Sequence, residues 1–282
     1  MPFVTRYAWN ILRPAIDTAD VIVEVLDARN PQGTRSSKIE KMVLDSTRKI
    51  LVLVINKTDL VPSDVVHEWV RFLSHVAPVL TICAKYPSNI REFMGKLKGI
   101  IKDHPRWEGA SLKMRVLVVG YPNSGKSTLI QALTENKKSV RSSSQAGFTR
   151  GVQKIKLSEK LYLIDTPGVI PPDESDEIGQ ALDTCSISPQ KIIDHESVID
   201  EIIRRAGMAA LNAIYGVDAI DQMDFIEQLG HKRGFLARGG RVKEIEVFKL
   251  LIRDWQAGKI RYHYRHNPIH PDSNGTPGIP RG

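Results

Sequence analysis

Residues 120–127 read GYPNSGKS, a glycine, four residues and then Gly-Lys-Ser. The run before them, MRVLVV at 114–119, is almost wholly apolar, as a strand buried on both faces of a parallel sheet must be. The run after them, STLIQALT at 127–134, opens a helical pattern. Strand, glycine-rich turn and helix N-terminus together wrap backbone N–H groups around a polyphosphate. In that arrangement Asn123, Ser124, Gly125, Lys126, Ser127 and Thr128 line the phosphates. Lys126 reaches the β- and γ-phosphates and Ser127 holds Mg²⁺. The plainer alternative is a glycine-rich turn with no ligand. The feature demands an α/β sheet, and its place near the middle of the chain is unusual.

A second apolar strand, ILVLVI at 50–55, runs straight into Asn56-Lys57-Thr58-Asp59. Guanine presents an N1–H and an exocyclic amine, and an Asp at a strand end can accept both protons. Asp59 suits that role. Asn56 can bridge toward N7 and tie neighbouring loops together, and the stem of Lys57 covers the base face. The next short strand, 79–82, ends in Cys83-Ala84-Lys85, where a backbone N–H can meet the guanine O6. Ser63 and Asn89 read as helix caps between these elements. Farther on, LYLI at 161–164 delivers Asp165-Thr166-Pro167-Gly168. Asp165 can act through water on Mg²⁺, and the Gly168 N–H can sense the γ-phosphate. Between the two phosphate elements, residues 136–151 are polar and serine-rich and read as a mobile segment.

Composition sets the outer bounds. A chain of 282 residues, 41% hydrophobic, has room for one nucleotide-binding domain and a smaller one. It has no apolar run of membrane-spanning length and no signal-peptide pattern at its start. Two cysteines suggest neither a disulfide framework nor a zinc site. A monomer in the cytoplasm, with no membrane partner, is the expectation. The net charge of +8 is uneven: residues 231–266 hold ten Lys/Arg against three acids, an excess of +7. A nucleic-acid partner fits that excess. So does a solvated basic helix face.

After Ser175 the buried strand runs stop. Helical patterns occupy 176–183, 189–194, 195–204, 206–215, 221–229 and 241–256. The expected organisation is a nucleotide-binding domain over 1–177, a helical domain over 178–258, and a basic, Pro/Gly-rich tail over 259–282. The order of motifs is base loop, second base loop, phosphate loop, switch segment and D-T-P-G. A sheet whose ends lie close tolerates such re-ordering, because the site depends on where strand ends meet.

VLDARNP (25–31), NKTD (56–59), CAK (83–85), GYPNSGKS (120–127), GFTRG (147–151) and DTPG (165–168), in this order, resemble the circularly permuted GTPases of the YlqF/YawG family. The resemblance covers residues 4–175. It implies a P-loop GTPase fold with a mostly parallel sheet and a small C-terminal helical domain. It also implies hydrolysis of GTP to GDP and phosphate, and a role in ribosome assembly with rRNA or a ribosomal subunit as partner. It casts Asn56 and Asp59 as guanine ligands, Lys126 as the phosphate lysine, Ser127 and Thr149 as Mg²⁺ hydroxyls, and Asp165 as a water-mediated Mg²⁺ ligand. Asp27-Ala28-Arg29 matches the family's D-A-R signature, read as structural support near the base motif. Asn123 matches the asparagine that helps hold K⁺ in potassium-activated relatives. On this reading Lys126, Thr149 and Gly168 carry the chemistry.

Two departures qualify the mechanism. Val169 follows Gly168 where Ras-like enzymes place a water-orienting Gln. The family shares that hydrophobic residue, but this chain also lacks the histidine of the bacterial N-terminal F-P-G-H-M motif, its first histidine being His67. Slow intrinsic turnover is the expectation. A GTPase acting on other RNA, or a slow nucleotide-regulated scaffold, remains open at this point. Gly168 leads within about ten residues into the helical domain, so loss of the γ-phosphate is expected to be relayed there.

Overall fold

The computed structural model describes residues 2–86, 88–105, 113–135, 153–165, 182 and 195–266. The chain divides into two compact units, Met1–Ser175 and Asp176–Gly282.

The first unit is built on six strands: β1 Val21–Asp27, β2 Ile50–Asn56, β3 Val79–Ile82, β4 Met114–Val119, β5 Gln153–Lys156 and β6 Leu161–Asp165. Their order across the sheet is β3-β2-β1-β4-β6-β5. All neighbours are parallel except β5, which runs antiparallel to β6 at the edge. Every residue of β1 and β2 is buried, which is why both read as unbroken apolar runs rather than alternating ones. The helices are α1 Pro2–Thr18, α2 Ser37–Leu44, α3 Ser63–Leu73, α4 Asn89–Lys102 and α5 Lys126–Glu135. On one face Val21, Val23, Val25, Val52, Val54, Val116 and Val118 pack with Phe93, Leu97 and Ile101 of α4 and Leu129 and Leu133 of α5. The alternate residues Ile22, Leu26, Leu51, Leu53, Ile55 and Leu117 are equally buried on the opposite face.

Local details differ from expectation in two places. Ser63 and Asn89 are the first residues of their helices, not the caps; Pro62 and Ser88 hold the cap positions and make no side-chain cap bond. Pro62 starts α3 from an extended backbone with φ −61°; its ring fixes that angle but accepts no hydrogen bond from the first-turn N–H groups. The Asn89 amide donates instead to the Cys83 carbonyl at 3.4 Å. Helix α1 continues through Pro14. The Lys49 ammonium gathers the carbonyls around its C-terminus, Ile16 at 2.6 Å and Asp17 and Ala19 at 2.9 Å. A cation there opposes the helix dipole. At the amino ends of β1 and β4, Arg115 grips Asp20 with both its side chain and its backbone N–H, at 2.8–3.0 Å.

The second unit holds α6 His195–Ala206, α7 Met208–Tyr215, α8 Gln222–Arg233 and α9 Glu244–Gln256. Val198, Ile202, Leu211, Phe225, Leu229, Phe248, Leu251 and Trp255 form its core. The Trp255 indole stacks on Tyr262 with ring centroids 3.8 Å apart, and its N–H donates to the Leu182 carbonyl at 3.2 Å. The helix expected from 241 begins only at Glu244. Ahead of it the chain makes a small hairpin, with Leu236 bridged to Val242. Apart from residue 182, the helical patterns read at 176–194 lie outside the described residues, as do residues 267–282 of the tail. No helix among the described residues is long and apolar enough to cross a membrane.

Candidate nucleotide-binding site

The chain leaves β1 for β2 and β3 on one side, then returns to β4 on the other. That reversal opens a crevice at the carboxyl ends of β1 and β4, where open α/β sheets bind ligands. The register places Asp27 beside Asn56 and Asn56 beside Ile82. The last residues of β1, β2 and β3, together with the turn after β4, therefore meet at one edge of the sheet.

The turn after β4 is a tight cradle. A side chain on Gly120 would put its Cβ 2.6 Å from the Val25 carbonyl oxygen. Gly125 has φ +95°, and a Cβ there would collide with the Asn56 amide nitrogen. Asn123 takes the left-handed conformation at φ 59°, which asparagine accepts more readily than most residues. The Ser124 hydroxyl lies buried beneath the loop with no partner. Lys126 is 7% exposed and donates to the Tyr121 carbonyl at 2.8 Å. Among the described residues no carboxylate pairs with it. Burial, and then the nearby Lys57 charge, depress its pKa to about 8. A buried ammonium with no counter-charge among the described residues, at the mouth of a glycine cradle and a helix N-terminus, is set to receive an anion. Ser127 and Thr128 are exposed in the first turn of α5.

The base-side residues form a joint between loops. The Asn56 amide donates to the Ser124 carbonyl at 3.1 Å, and its Oδ1 accepts from the Ala84 N–H at 3.0 Å. Its backbone carbonyl accepts from the Ala28 N–H at 2.9 Å. One side chain thus fixes the phosphate loop against the loop after β3. Ala84 therefore commits its N–H to Asn56 rather than presenting it to a ligand. Asp59 sits exposed in a single 3₁₀ turn, Thr58–Leu60. The Cys83 thiol donates to its Oδ1 at 3.0 Å. Burial, and then the hydrogen bond to Asp59, push the Cys83 pKa up to about 11, so it stays a thiol and a donor. Lys85 is exposed beside Tyr86, its ammonium 5.9 Å from the ring.

The D-A-R segment does more than support the base motif from behind. Asp27 and Arg29 are each 1% exposed. The Arg29 guanidinium holds Asp27 in a fork, Nε to Oδ1 at 2.9 Å and Nη2 to Oδ2 at 2.7 Å. The Lys57 ammonium also donates to Asp27 Oδ2, at 2.9 Å, and to the Asn123 carbonyl of the phosphate loop. Burial alone would raise the Asp27 pKa, but Arg29 and Lys57 outweigh it and hold the carboxylate well below its ordinary range. Sequence reasoning did not find this link. Its one signal was a charged residue ending a fully apolar strand, since a buried charge needs a partner.

Thr149, Gly168 and Val169 lie outside the described residues; Asp165 ends β6, and its backbone alone is described. Among the described residues there is no cluster of His, Cys, Asp and Glu able to cage a metal ion.

Residues 115–221 match the family described as "50S ribosome-binding GTPase". Curated relatives include "Nucleolar GTP-binding protein 2" of Pneumocystis carinii, 32% identical over 259 residues, covering 91% of this chain and 53% of that protein. The protein of that name from Saccharomyces cerevisiae is 34% identical over 258 residues, covering 91% and 52%. The chain thus spans about half the length of the curated relatives it matches. Among solved structures, GNP-bound YlqF from T. maritima superposes with a TM-score of 0.63 at 24% identity, over 90% of this chain and 93% of that one. GDP-bound YlqF gives the same TM-score, over 91% and 98%. These structures share the fold, permuted order included. The relatives' names overturn one expectation: they are nucleolar, where composition pointed to the cytoplasm. The physical reason is simple. Lack of a signal peptide and of a membrane span is common to both compartments.

Proposed function

We propose, from the premise that the chain is a circularly permuted GTPase of the YlqF/YawG family, that it hydrolyses GTP to GDP and phosphate as a switch in assembling a pre-ribosomal particle in the nucleolus. The observation that carries this reading is the meeting of the glycine cradle with the Asn56–Asp59 turn, joined through Asn56 and Lys57. Asp59 accepts the guanine N1–H and exocyclic amine, and the Lys57 stem covers the base. Backbone N–H groups of the cradle and the start of α5, with Lys126, hold the phosphates and oppose charge on the transferring phosphoryl. Ser127 and Thr149, with Asp165 through water, would hold Mg²⁺, which supplies further charge neutralisation when bound. The Gly168 N–H reads the γ-phosphate. Asn123 is the residue to hold K⁺ beside it.

Nothing at Val169 can orient a water, so turnover by the chain alone is slow and the particle accelerates it. The basic excess over 231–266 supports an rRNA partner. The test loads the full chain with GDP or with a non-hydrolysable GTP analogue and sediments it with ribosomal subunits and their precursors. Co-sedimentation in the GTP-like state alone is expected. Equal binding in both states would remove the switch, and no binding in either would remove the ribosomal role. Asp59→Asn gives an independent check of the base: it replaces an acceptor by a donor, so preference should move from guanine to xanthine, which carries a carbonyl at C2.

A further inference from the structure

The chain between α8 and α9 forms a basic prong. Helix α8 ends at Gly234, in the left-handed conformation at φ +69°. The Phe235 N–H returns to the Gly230 carbonyl at 2.9 Å and the Gly234 N–H to His231 at 3.1 Å. That is a Schellman stop, and it turns the chain sharply. A short ladder follows: Lys243 N–H to the Phe235 carbonyl at 2.7 Å, the Leu236–Val242 bridge, and Ala237 N–H to the Arg241 carbonyl at 2.8 Å. At the tip Gly239 and Gly240 have φ +87° and +80°, and a Cβ on either would meet nothing within 4 Å. The tip stands in open space.

The two faces of this hairpin differ. Val242 lies directly over Gly230, where any Cβ would collide with its methyl groups. Leu236, paired with Val242, shares that face. The apolar side is therefore seated on α8, and strand alternation sends Arg241 and Lys243 the other way. Both are exposed, as are Lys232, Arg233 and Arg238. From Lys232 to Lys243 there are five basic residues and no acidic one. The ion pairs among the described residues of this unit are those of Arg204 and Arg205 with Glu201, His231 with Glu227, Lys249 with Glu246 and Lys259 with Asp254; none engages Arg233, Arg238, Arg241 or Lys243.

We propose that this hairpin, with Arg238 and Arg241 flanking its Gly-Gly tip, is an RNA-binding prong that grips the phosphate backbone. The proposal rests on the reading of an RNA-associated GTPase and says which surface meets the RNA. Arginine forks match phosphate oxygens in pairs, and the side-chain-free Gly239–Gly240 tip lets a phosphate strand approach closely, although the Gly240 N–H is taken by the Ala237 carbonyl at 3.1 Å. A protein-binding site would place aromatic or apolar anchors at its centre. Here the apolar residues are turned inward onto α8 instead.

The test titrates a fluorescein-labelled rRNA stem-loop with the full chain at rising KCl. Wild type is compared with Arg238→Ala/Arg241→Ala and with Arg238→Lys/Arg241→Lys, with circular dichroism and GTP turnover as checks on fold. The alanine pair should weaken binding and flatten the slope of log K against log salt by about 1 for each arginine removed. The lysine pair should keep most of the slope, while GTP turnover without RNA stays unchanged. Undiminished affinity and slope in a folded alanine variant would overturn the prong alone. An acidic peptide that competes better than RNA would overturn it in favour of a protein partner. Failure of wild type to bind the RNA at all would instead overturn the RNA-associated reading beneath it.

Discussion

The Lys57 ammonium lies 2.9 Å from Asp27 Oδ2 and also donates to the carbonyl of Asn123. A residue of the base motif thereby couples the end of β1 to the phosphate loop. Lys57 itself takes the left-handed conformation at φ 63°, a strained choice for a lysine that the surrounding contacts must hold in place.

Asp27→Ala would leave the Arg29 guanidinium buried without its carboxylate. Removing one partner of a buried ion pair costs about 3–5 kcal/mol. Urea unfolding should show a loss of that size. Nucleotide release should also quicken, because Lys57 loses its aim at Asn123. A variant as stable as wild type would mean that Arg29 and Lys57 find other partners.

Glu24 lies in the middle of β1 and is fully buried. Its Oε1 accepts from the Ser36 N–H at 2.7 Å, while Oε2 has no partner. Burial, then the charge of Glu40, raise its pKa from 4.5 to about 8. The folded state therefore keeps a proton that the unfolded chain releases above about pH 4.5. Stability from this site declines as pH rises between those values and levels off above the upper one. Glu24→Gln removes the titration. Its melting temperature relative to wild type should climb through that window and then hold constant. A difference that does not change with pH would contradict the assignment.

Gly125→Ala places a methyl group against the Asn56 amide at a φ of +95°. Strain of this kind costs about 1–3 kcal/mol, and the Asn56 bridge to Ser124 must open as well. Binding of a fluorescent GDP analogue should weaken by about tenfold or more. Tight binding by this variant would show that the cradle deforms readily.

Trp255→Ala removes the largest fully buried side chain of the helical unit together with its stacking on Tyr262. Large aromatic deletions cost about 3–5 kcal/mol. Hydrogen exchange in α6 to α9 should quicken accordingly. Protection left at the wild-type level would mean that the unit repacks around the gap.

Strands β1 to β4 were legible because a strand buried on both faces is a continuous apolar run, and these runs end in the residues that carry the chemistry. Asn56, Asp59 and Lys126 were legible because their spacing from those runs is short. The hairpin over 235–243 was not. It has too few residues to show an alternating pattern, and its shape depends on glycines at positive φ and on a hole left at Gly230. The caps misassigned to Ser63 and Asn89 failed for a related reason. Several polar residues near a helix start can serve, and local packing chooses among them.

The linear sequence determined the guanine and phosphate motifs, their permuted order and the strands that present them, because each is written in a few consecutive residues. Only the tertiary structure decided that Asp27, Lys57 and Asn123 touch, that Asn56 reaches Ser124, and that Val242 seats a basic hairpin on α8. Such contacts join segments far apart in the chain. They form only when the parallel register of β1, β2 and β4 or the packing of the helical unit brings those segments together.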